Sequence, residues 1–246
     1  NATVVEAGDG LQVRRLLVDC GFGIRQLATR LGAAGLGIDP IDAIFITHEH
    51  ADHVGCAHTV AMRHRIPVFM SRGTHVAIGA PDFDGLLQMA HDMVPIDLGT
   101  VCAVPFTVPH DAREPLQLRC TDGASHLGLL TDLGHASPHV LQQLQGCHAL
   151  LLEANHDPDM LAASGYPAFL KRRIAGVHGH LANHDAAGIL AAVRHTGLNR
   201  VVAAHLSAQN NQPRLAQQAL AHALDWPAEG VDIASPTKGT DWINVV

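Results

Sequence analysis

The chain has 246 residues, of which 47% are hydrophobic, and its formal net charge is −7 with histidine counted as neutral. This length supports one sizeable core, so we expect a single domain over residues 1–246. The negative balance excludes a global basic field for nucleic acid. No apolar run reaches the ~18 residues of a membrane span, so we expect no membrane association.

Strands dominate the first half of the predicted structure. Two strands flank a glycine-rich turn at 8–10, and a helix over 24–35 stops at a glycine. The continuous apolar run at 41–46 indicates a strand that is buried on both faces, and a helix is predicted to follow at 54–65. Further strands are predicted at 66–70, 94–99, 102–108, 116–120 and 126–132.

Helices and strands alternate in the second half. The helices are predicted at 138–145, 157–164, 183–197 and 212–224. The strands are predicted at 148–155, 200–207, 230–235 and 241–246. Both halves combine strands with helices, which favours an α+β fold of two mixed β-sheets packed face to face with helices outside. The alternative, an open doubly wound sheet, lacks a glycine-rich phosphate turn at its first strand–helix junction.

The five cysteines are scattered along the chain without a C-x-x-C pair. An odd number without a disulfide framework predicts reduced thiols in a cytoplasmic protein, where they act as small buried hydrophobes. No signal peptide opens the chain. The chain begins at Asn1 rather than at methionine, so we expect that a short N-terminal piece precedes it.

The stretch THEHADH at 47–53 crowds three histidines and an aspartate at the end of a predicted buried strand. Such groups are costly to desolvate unless something pairs with them. In an extended loop residues two apart point the same way, so His48 and His50 can reach one point. Asp52 and His53 begin the next turn and can reach a second point. Imidazole nitrogens and carboxylate oxygens suit Zn, Mn or Fe, which predicts a metal-binding loop.

Three more donors follow apolar strands elsewhere in the chain. They are His110 in PHD, Asp132 in TDLGH and His205 in AHLS. A polar residue at such a place is often a cap or turn former, and for Asp132 alone that role is an equal alternative. The seven donors taken together favour a metal site, because two metals need more ligands than the loop at 47–53 contains.

The pattern H-x-H-x-D-H, followed at a distance by His, Asp and His, resembles the metallo-β-lactamase superfamily. The resemblance implies an αββα sandwich with a dinuclear site at one edge. It assigns His48, His50 and His110 to one metal. It assigns Asp52, His53 and His205 to the other, with Asp132 as the bridge. An aspartate at 132, rather than a cysteine, resembles the phosphodiesterase and glyoxalase branches.

Further segments resemble one particular family within this superfamily. The stretches at 151–161, 166–174, 179–187 and 204–211 are similar to the small bacterial proteins called YycJ or WalJ. That family is described as 5′→3′ exonuclease-like and acting on DNA. Ala182 departs from the family pattern, which usually has serine there. We expect this departure to have little effect beyond the loss of one phosphate hydrogen bond.

Glu153 and His180 resemble the paired glutamate and histidine in the HEAT and GHST motifs of tRNase Z. A glutamate bonded to one ring nitrogen fixes the tautomer and raises the basicity of the other nitrogen. The resemblance therefore implies that His180 donates a proton to a leaving alkoxide and that Glu153 orients it. A helix-capping role is the alternative for His180. For His156 a structural turn and a contact with substrate are equal alternatives.

The predicted activity is phosphodiester hydrolysis with two divalent metal ions, Zn or Mn, and Fe also fits. Asp52 is expected to orient the attacking water or accept its proton, and the metals lower the pKa of that water. The expected substrate is nucleic acid, with DNA favoured over RNA. Lys171, Arg172 and Arg173 are the candidates for contacts with backbone phosphates, and a solvated helix face is the alternative.

Three other functions stay open at the level of the sequence. The first is a small-molecule cyclic phosphodiesterase similar to the PhnP type, and the second is a thioester hydrolase. A non-catalytic metal-binding regulator is disfavoured, because none of the seven ligands is missing. The short segment from Asp132 to His205 leaves no room for an inserted nucleic-acid clamp such as that of RNase J-type enzymes. The sequence sets no oligomeric state.

Overall fold

Two mixed β-sheets organise the chain, and a computed structural model describes all residues from 1 to 246. The first sheet has the order β1-β2-β3-β4-β5, with β1 antiparallel to β2 and the remaining pairs parallel. Its strands are β1 Thr3–Gly8, β2 Val13–Val18, β3 Ala43–Phe45, β4 Val68–Met70 and β5 Leu87–Met89.

The second sheet has seven strands in the order β12-β11-β10-β9-β8-β7-β6. It is antiparallel from β6 to β8 and parallel from β9 to β12, so both sheets are mixed, as predicted. Its strands are β6 Ile96–Asp97, β7 Cys102–Thr107, β8 Leu116–Thr121, β9 His126–Leu130, β10 Ala149–Glu153, β11 Arg200–Ala204 and β12 Val231–Ile233.

Nine α-helices accompany the sheets, together with a 3₁₀ turn at Ala228–Gly230. None of the helices is long and apolar enough to cross a membrane. The helices are α1 Ile24–Ala33, α2 Ala51–Val54, α3 Ala57–His64, α4 Arg72–Ala77, α5 Pro138–Leu144, α6 Pro158–Ala163, α7 Ala168–Ile174, α8 Asn183–Val193 and α9 Pro213–Leu224.

The chain forms two compact units. Unit 1 contains residues 1–107 and 112–124, and unit 2 contains residues 108–111 and 125–246. The core of unit 1 includes Ile44, Val60 and Met70, all fully buried. The core of unit 2 is built from the apolar residues of β10 and β11 and from α8 and α9. The expectation of one domain over the whole chain stays a prediction.

Strand register brings the polar residues of each unit to one sheet edge. In unit 1, Val18 at the end of β2 lies opposite Phe45 at the end of the parallel strand β3. In unit 2, Leu130 of β9 lies opposite Leu152 of β10, and Glu153 lies opposite Ala204 of β11. Because the carboxyl ends of parallel strands meet at one edge, the residues that follow them converge.

Several predicted elements differ in the structure. The helix predicted at 54–65 corresponds to α3, and α2 is a separate short helix that ends before Gly55, whose φ is 37°. A Cβ at Gly55 would lie 2.2 Å from the carbonyl oxygen of Cys20, so this close approach requires glycine and ends the first helix. Neither α4 nor β5 was predicted.

The strand predicted at 241–246 is wrong. These residues form no strand in the structure. Trp242 is 49% exposed and Val246 is 72% exposed, so the apolar side chains of this segment pack only in part. An alternating apolar pattern forms a strand only where a sheet edge offers backbone partners, and that choice is tertiary.

Candidate metal centre

The loop after β3 places imidazoles of unit 1 in the interior. His48 and His53 are fully buried, and His50 is partly buried. Nε2 of His48 lies 2.9 Å from Nδ1 of His50, so two ring nitrogens converge as the sequence predicts. Buried imidazoles at such separations form a donor set for a divalent cation rather than an apolar packing contact.

Asp19 is a site residue that the sequence analysis missed. It follows β2, is buried, and has the left-handed φ of 63°. Its carboxylate accepts hydrogen bonds from the backbone N–H and the hydroxyl of Thr47 and lies 2.8 Å from Nδ1 of His53. A carboxylate on Nδ1 fixes the tautomer and leaves Nε2 to bind a metal. The signal was present, since Asp19 follows an apolar strand just as His110 does.

The other ring nitrogen of His53 faces a polar edge. Nε2 lies 3.6 Å from Oδ2 of Asp52 and 2.9 Å from Nδ2 of Asn1. The side chain of Asp52 is largely exposed, unlike the neighbouring histidines. Its backbone approaches Gly21 so closely that a Cβ on Gly21 would lie 1.5 Å from the carbonyl oxygen of Asp52. Backbone packing therefore fixes the position of Asp52.

In unit 2, three predicted ligands approach one another. Oδ1 of Asp132 lies 3.9 Å from Nε2 of His110 and 3.5 Å from Nδ1 of His205. Asp132 and His205 both have left-handed φ values, 57° and 55°. Such backbone geometry is uncommon outside glycine and clusters at functional sites. His110 is held from the far side of its ring, since Nδ1 lies 3.1 Å from the carbonyl oxygen of Gly179.

Glu153 contacts two predicted site histidines of unit 2. Its Oε1 lies 2.8 Å from Nδ1 of His180 and 2.8 Å from Nδ1 of His205. Its Oε2 accepts hydrogen bonds from the backbone N–H groups of Leu133 and Leu181. Each oxygen of the carboxylate thus has two hydrogen-bond partners, so Glu153 orients the two imidazoles.

Protonation follows from this geometry. Burial by itself would raise the pKa of Glu153, but the hydrogen bonds to His180 and His205 outweigh it, so the pKa lies below its usual range. Burial would likewise lower the pKa of His180, but the hydrogen bond and charge of Glu153, with the charge of Asp132, raise that pKa. Burial lowers the pKa of His110, which favours the neutral ring that a metal requires.

The basic residues of α7 have different surroundings. Nζ of Lys171 donates to the carbonyl oxygen of Ala162 at 2.6 Å. Nε of Arg173 donates to Oδ2 of Asp111 at 2.6 Å. Arg172 is exposed and makes no ion pair. Asp111 adjoins His110 in sequence, so Arg173 supports the segment that carries a predicted ligand, a role that the sequence did not indicate.

His156 lies in the interior of unit 2. It is 3% exposed, and burial lowers its pKa. Its carbonyl oxygen accepts a hydrogen bond from the backbone N–H of Asn183 at the start of α8. The structure thus joins the segments at 151–161 and 179–187 through His156, and its contact with substrate stays a prediction.

The donor chemistry of both units fits a divalent cation. The donors offer imidazole nitrogen and carboxylate oxygen and no thiolate, a set that suits Zn, Mn or Fe. Within unit 2, Asp132, Glu153, His180 and His205 each place one such atom within 4.8 Å of the others. The structure therefore supports metal binding, while the number and identity of the ions stay predictions.

Comparison with known proteins places the chain in a family. Residues 14–206 match the model of the beta-lactamase superfamily domain. The chain therefore belongs to the beta-lactamase superfamily, which confirms the predicted superfamily and the α+β fold class.

Two relatives of known name match most of the chain. The chain is 31% identical over 237 residues to the exodeoxyribonuclease YycJ of Bacillus anthracis, covering 94% of this chain and 89% of that protein. It is 28% identical over 225 residues to the exodeoxyribonuclease WalJ of Streptococcus pneumoniae serotype 2, covering 89% and 84%. These matches confirm the resemblance to the YycJ and WalJ proteins.

A solved structure shares the fold. The metallo-beta-lactamase fold protein YhfI of Bacillus subtilis superposes with a TM-score of 0.72 over 98% of this chain and 91% of that chain, at 16% identity.

Proposed function

We propose that this protein is a dinuclear phosphodiester hydrolase that degrades DNA as a 5′→3′ exonuclease. At the coarser level, the chain is a metal-dependent hydrolase of the phosphodiesterase and nuclease type. The finer proposal draws support from two relatives that are named as exodeoxyribonucleases. The observation that carries it is the buried Glu153 carboxylate, which holds His180 beside Asp132 and His205.

The proposed ligand assignment follows the order of the motif. One ion would be held by His48, His50 and His110 and the other by Asp52, His53 and His205, with Asp132 as a ligand of both. Asp19 and Glu153 act behind the ligands, because each binds Nδ1 of a ligating histidine and directs its Nε2 outward.

The chemistry depends on what these residues do to protons. When bound, two divalent cations would lower the pKa of an attacking water and offset charge on the phosphoryl oxygens. Asp52 orients that water or accepts its proton. His180, kept charged by Glu153, donates a proton to the departing oxygen, because an alkoxide is a poor leaving group without one.

The proton donor also discriminates between the alternative reactions. A thiolate leaves readily without protonation, since its conjugate acid has a pKa near 8.5, so a thioester hydrolase has little need of His180. An alkoxide of a nucleotide or of a cyclic phosphodiester needs it. The arrangement of Glu153 and His180 therefore favours phosphodiester hydrolysis, and the choice between nucleic acid and a small ester requires an experiment.

The test is a panel of substrates with metal content measured on the same preparation. The substrates are single- and double-stranded DNA and RNA with 5′-phosphate or 5′-hydroxyl ends, a cyclic nucleotide phosphodiester and a thioester. We expect 3′-labelled DNA to shorten stepwise from its 5′ end. The Asp132→Ala variant, purified in parallel, controls for contaminating nucleases and should be inactive, because it removes a donor from both ions.

Two outcomes would contradict the proposal. Turnover of the cyclic phosphodiester without cleavage of any oligonucleotide would favour the PhnP-type alternative. Equal activity of the wild type and Asp132→Ala would show that the ligand assignment is wrong.

A further inference from the structure

Helix α7 is the least buried helix of unit 2. Its seven residues include no buried side chain, and Phe169 near its start is 66% exposed. A single exposed hydrophobic residue is normal on a protein surface and needs no explanation. Phe169 matters because of its neighbours on the same helix and because of where the helix ends.

An exposed cation lies on the same face of the helix as this aromatic ring. Arg172 follows Phe169 by three residues, a spacing that places two side chains next to each other on a helix. Lys171 donates a hydrogen bond to the carbonyl oxygen of Ala162, and Arg173 donates one to the carboxylate of Asp111. Arg172 makes no ion pair.

The carboxyl end of α7 is hydrogen-bonded to the segment that contains His180. The backbone N–H of His180 donates to the carbonyl oxygen of Ile174 at 2.8 Å. A Cβ on Gly179 would lie 2.2 Å from the carbonyl oxygens of Arg173 and Ile174, so the turn is packed tightly against the helix. At 1.5 Å per residue, Phe169 lies about 7.5 Å along the helix from Ile174. That length corresponds to about two stacked bases.

We propose that Phe169 and Arg172 form a platform for single-stranded DNA. A base near the cleaved bond stacks on the ring of Phe169, and the guanidinium of Arg172 binds an adjacent phosphate. An aromatic face accepts any base, so the platform serves a sequence-independent nuclease. The inference rests on the proposed function and adds Phe169, which the sequence analysis did not include, to the Arg172 phosphate contact that it predicted.

The test measures base stacking directly in the full-length protein. The probe is a 5′-phosphorylated single-stranded DNA of 12 nucleotides with phosphorothioate linkages, which carries 2-aminopurine at one of its first six positions. Stacking on an aromatic ring quenches 2-aminopurine fluorescence. We expect quenching at one or two adjacent positions with the wild type, and its loss in Phe169→Ala. The Kd should rise about 5- to 100-fold in that variant.

Two further variants separate stacking from apolar contact. Phe169→Tyr retains the ring and should retain the quenching, whereas Phe169→Leu retains an apolar side chain and should lose it. Arg172→Gln should raise the Kd and reduce the slope of log Kd against log salt by about one charge. The matched control is Trp242→Ala, which removes another exposed aromatic residue and should leave the Kd unchanged.

The outcomes distinguish this inference from the proposed function. If wild-type protein cleaves neither single- nor double-stranded DNA, the proposed nuclease activity fails and the platform fails with it. If it cleaves double-stranded DNA and does not bind the single-stranded probe, the platform alone is overturned. If the wild type cleaves DNA while Phe169→Ala keeps its Kd and its quenching, the platform alone is overturned. Equal binding by Phe169→Leu and the wild type would also overturn it and would point to an apolar protein partner. Unchanged melting temperatures of the variants establish that each effect is local.

Discussion

One oxygen atom of Glu153 contacts two imidazoles. Its Oε1 lies 2.8 Å from Nδ1 of His180 and 2.8 Å from Nδ1 of His205. Both rings are thereby fixed with Nε2 directed away from the carboxylate. In the proposed mechanism one Nε2 binds a metal and the other faces the leaving group. One buried residue therefore couples metal binding to proton donation.

The first prediction concerns His180 as the proton donor. The variant His180→Ala should keep its metals and lose about 10²–10⁴ in turnover of an oligonucleotide, the usual contribution of a positioned acid. With a nitrophenyl ester the loss should shrink sharply, because nitrophenolate leaves without a proton. The measurement is kcat on both substrates together with metal content. Loss of metal, or equal slowing on both substrates, would assign His180 to metal binding or positioning.

The second prediction separates Glu153 from His180. In Glu153→Gln the ring of His205 loses its anionic partner as well, so metal affinity should fall by about 10- to 100-fold. His180→Ala should not show this fall. Competition with a chelator measures the affinity in each variant. Unchanged affinity in Glu153→Gln would show that the contact with His205 does not orient a ligand.

The third prediction concerns Asp19, which orients His53 without touching a metal. Asp19→Asn removes the charge that fixes Nδ1 of His53, so the affinity of one metal should fall by about 10- to 100-fold. The matched control is Asp39→Asn, since that carboxylate is 91% exposed and pairs only with His64. A chelator titration that gives equal affinities for the two variants would contradict the assignment.

Parallel strands explain why these residues meet. Asp132, Glu153 and His205 stand at the carboxyl ends of β9, β10 and β11, which are neighbours in register. Strands β2 and β3 act in the same way for Asp19 and for the loop that begins at Thr47. Each of these segments consists of a short apolar strand with a polar residue after it. Parallel pairing of the strands then brings the polar residues to the same edge of the sheet.

The fourth prediction tests the close packing that holds Asp52. Gly21→Ala places a Cβ 1.5 Å from the carbonyl oxygen of Asp52, so the loop must move. We expect a loss of about 1–3 kcal/mol in the free energy of unfolding, as for other overpacked sites. Gly23→Ala is the matched control, because a Cβ there meets no atom within 4 Å. Thermal and urea unfolding of both variants measure the difference, and equal stabilities would contradict the packing.

Bound metal ions would change both the net charge of the whole molecule and its free energy of unfolding. The chain carries a net charge of −7, which two divalent cations would offset by about half. A cation that binds only the folded state stabilises it by mass action, and 100-fold excess over Kd is worth about 2.7 kcal/mol per site. The buried histidines of unit 1 and the Asp132 cluster of unit 2 are the places where that energy acts.

The fifth prediction follows from this linkage. Removal of metal with a chelator should lower the melting temperature by several degrees, and added Zn or Mn should restore it. Asp132→Ala should show a smaller shift, because it binds fewer ions. Scanning calorimetry with elemental analysis provides the measurement. A protein that loses its metals and keeps its melting temperature would show that the ions do not bind preferentially to the folded state, which would contradict this prediction.

The seven donors of the proposed metal site and most of the elements that carry them were predicted from the sequence. Each of these donors follows an apolar run that predicts a strand, so its position at a strand end can be recognised without a structure. The donors lie in THEHADH and at His110, Asp132 and His205. The pairing of Glu153 with His180 was predicted from resemblance to tRNase Z, and the structure confirms the contact.

Which polar groups contact each other depends on how distant parts of the chain pack together. Asp19 lies 34 residues from His53, and no local pattern relates them until β2 and β3 pair. The partner of Arg173 is Asp111, 62 residues away, so a charge that appears available in sequence is already neutralised in the fold. The apolar end of the chain forms no strand. Periodicity reports which face of an element is apolar, whereas contacts between distant residues depend on register and close packing, which a single sequence does not encode locally.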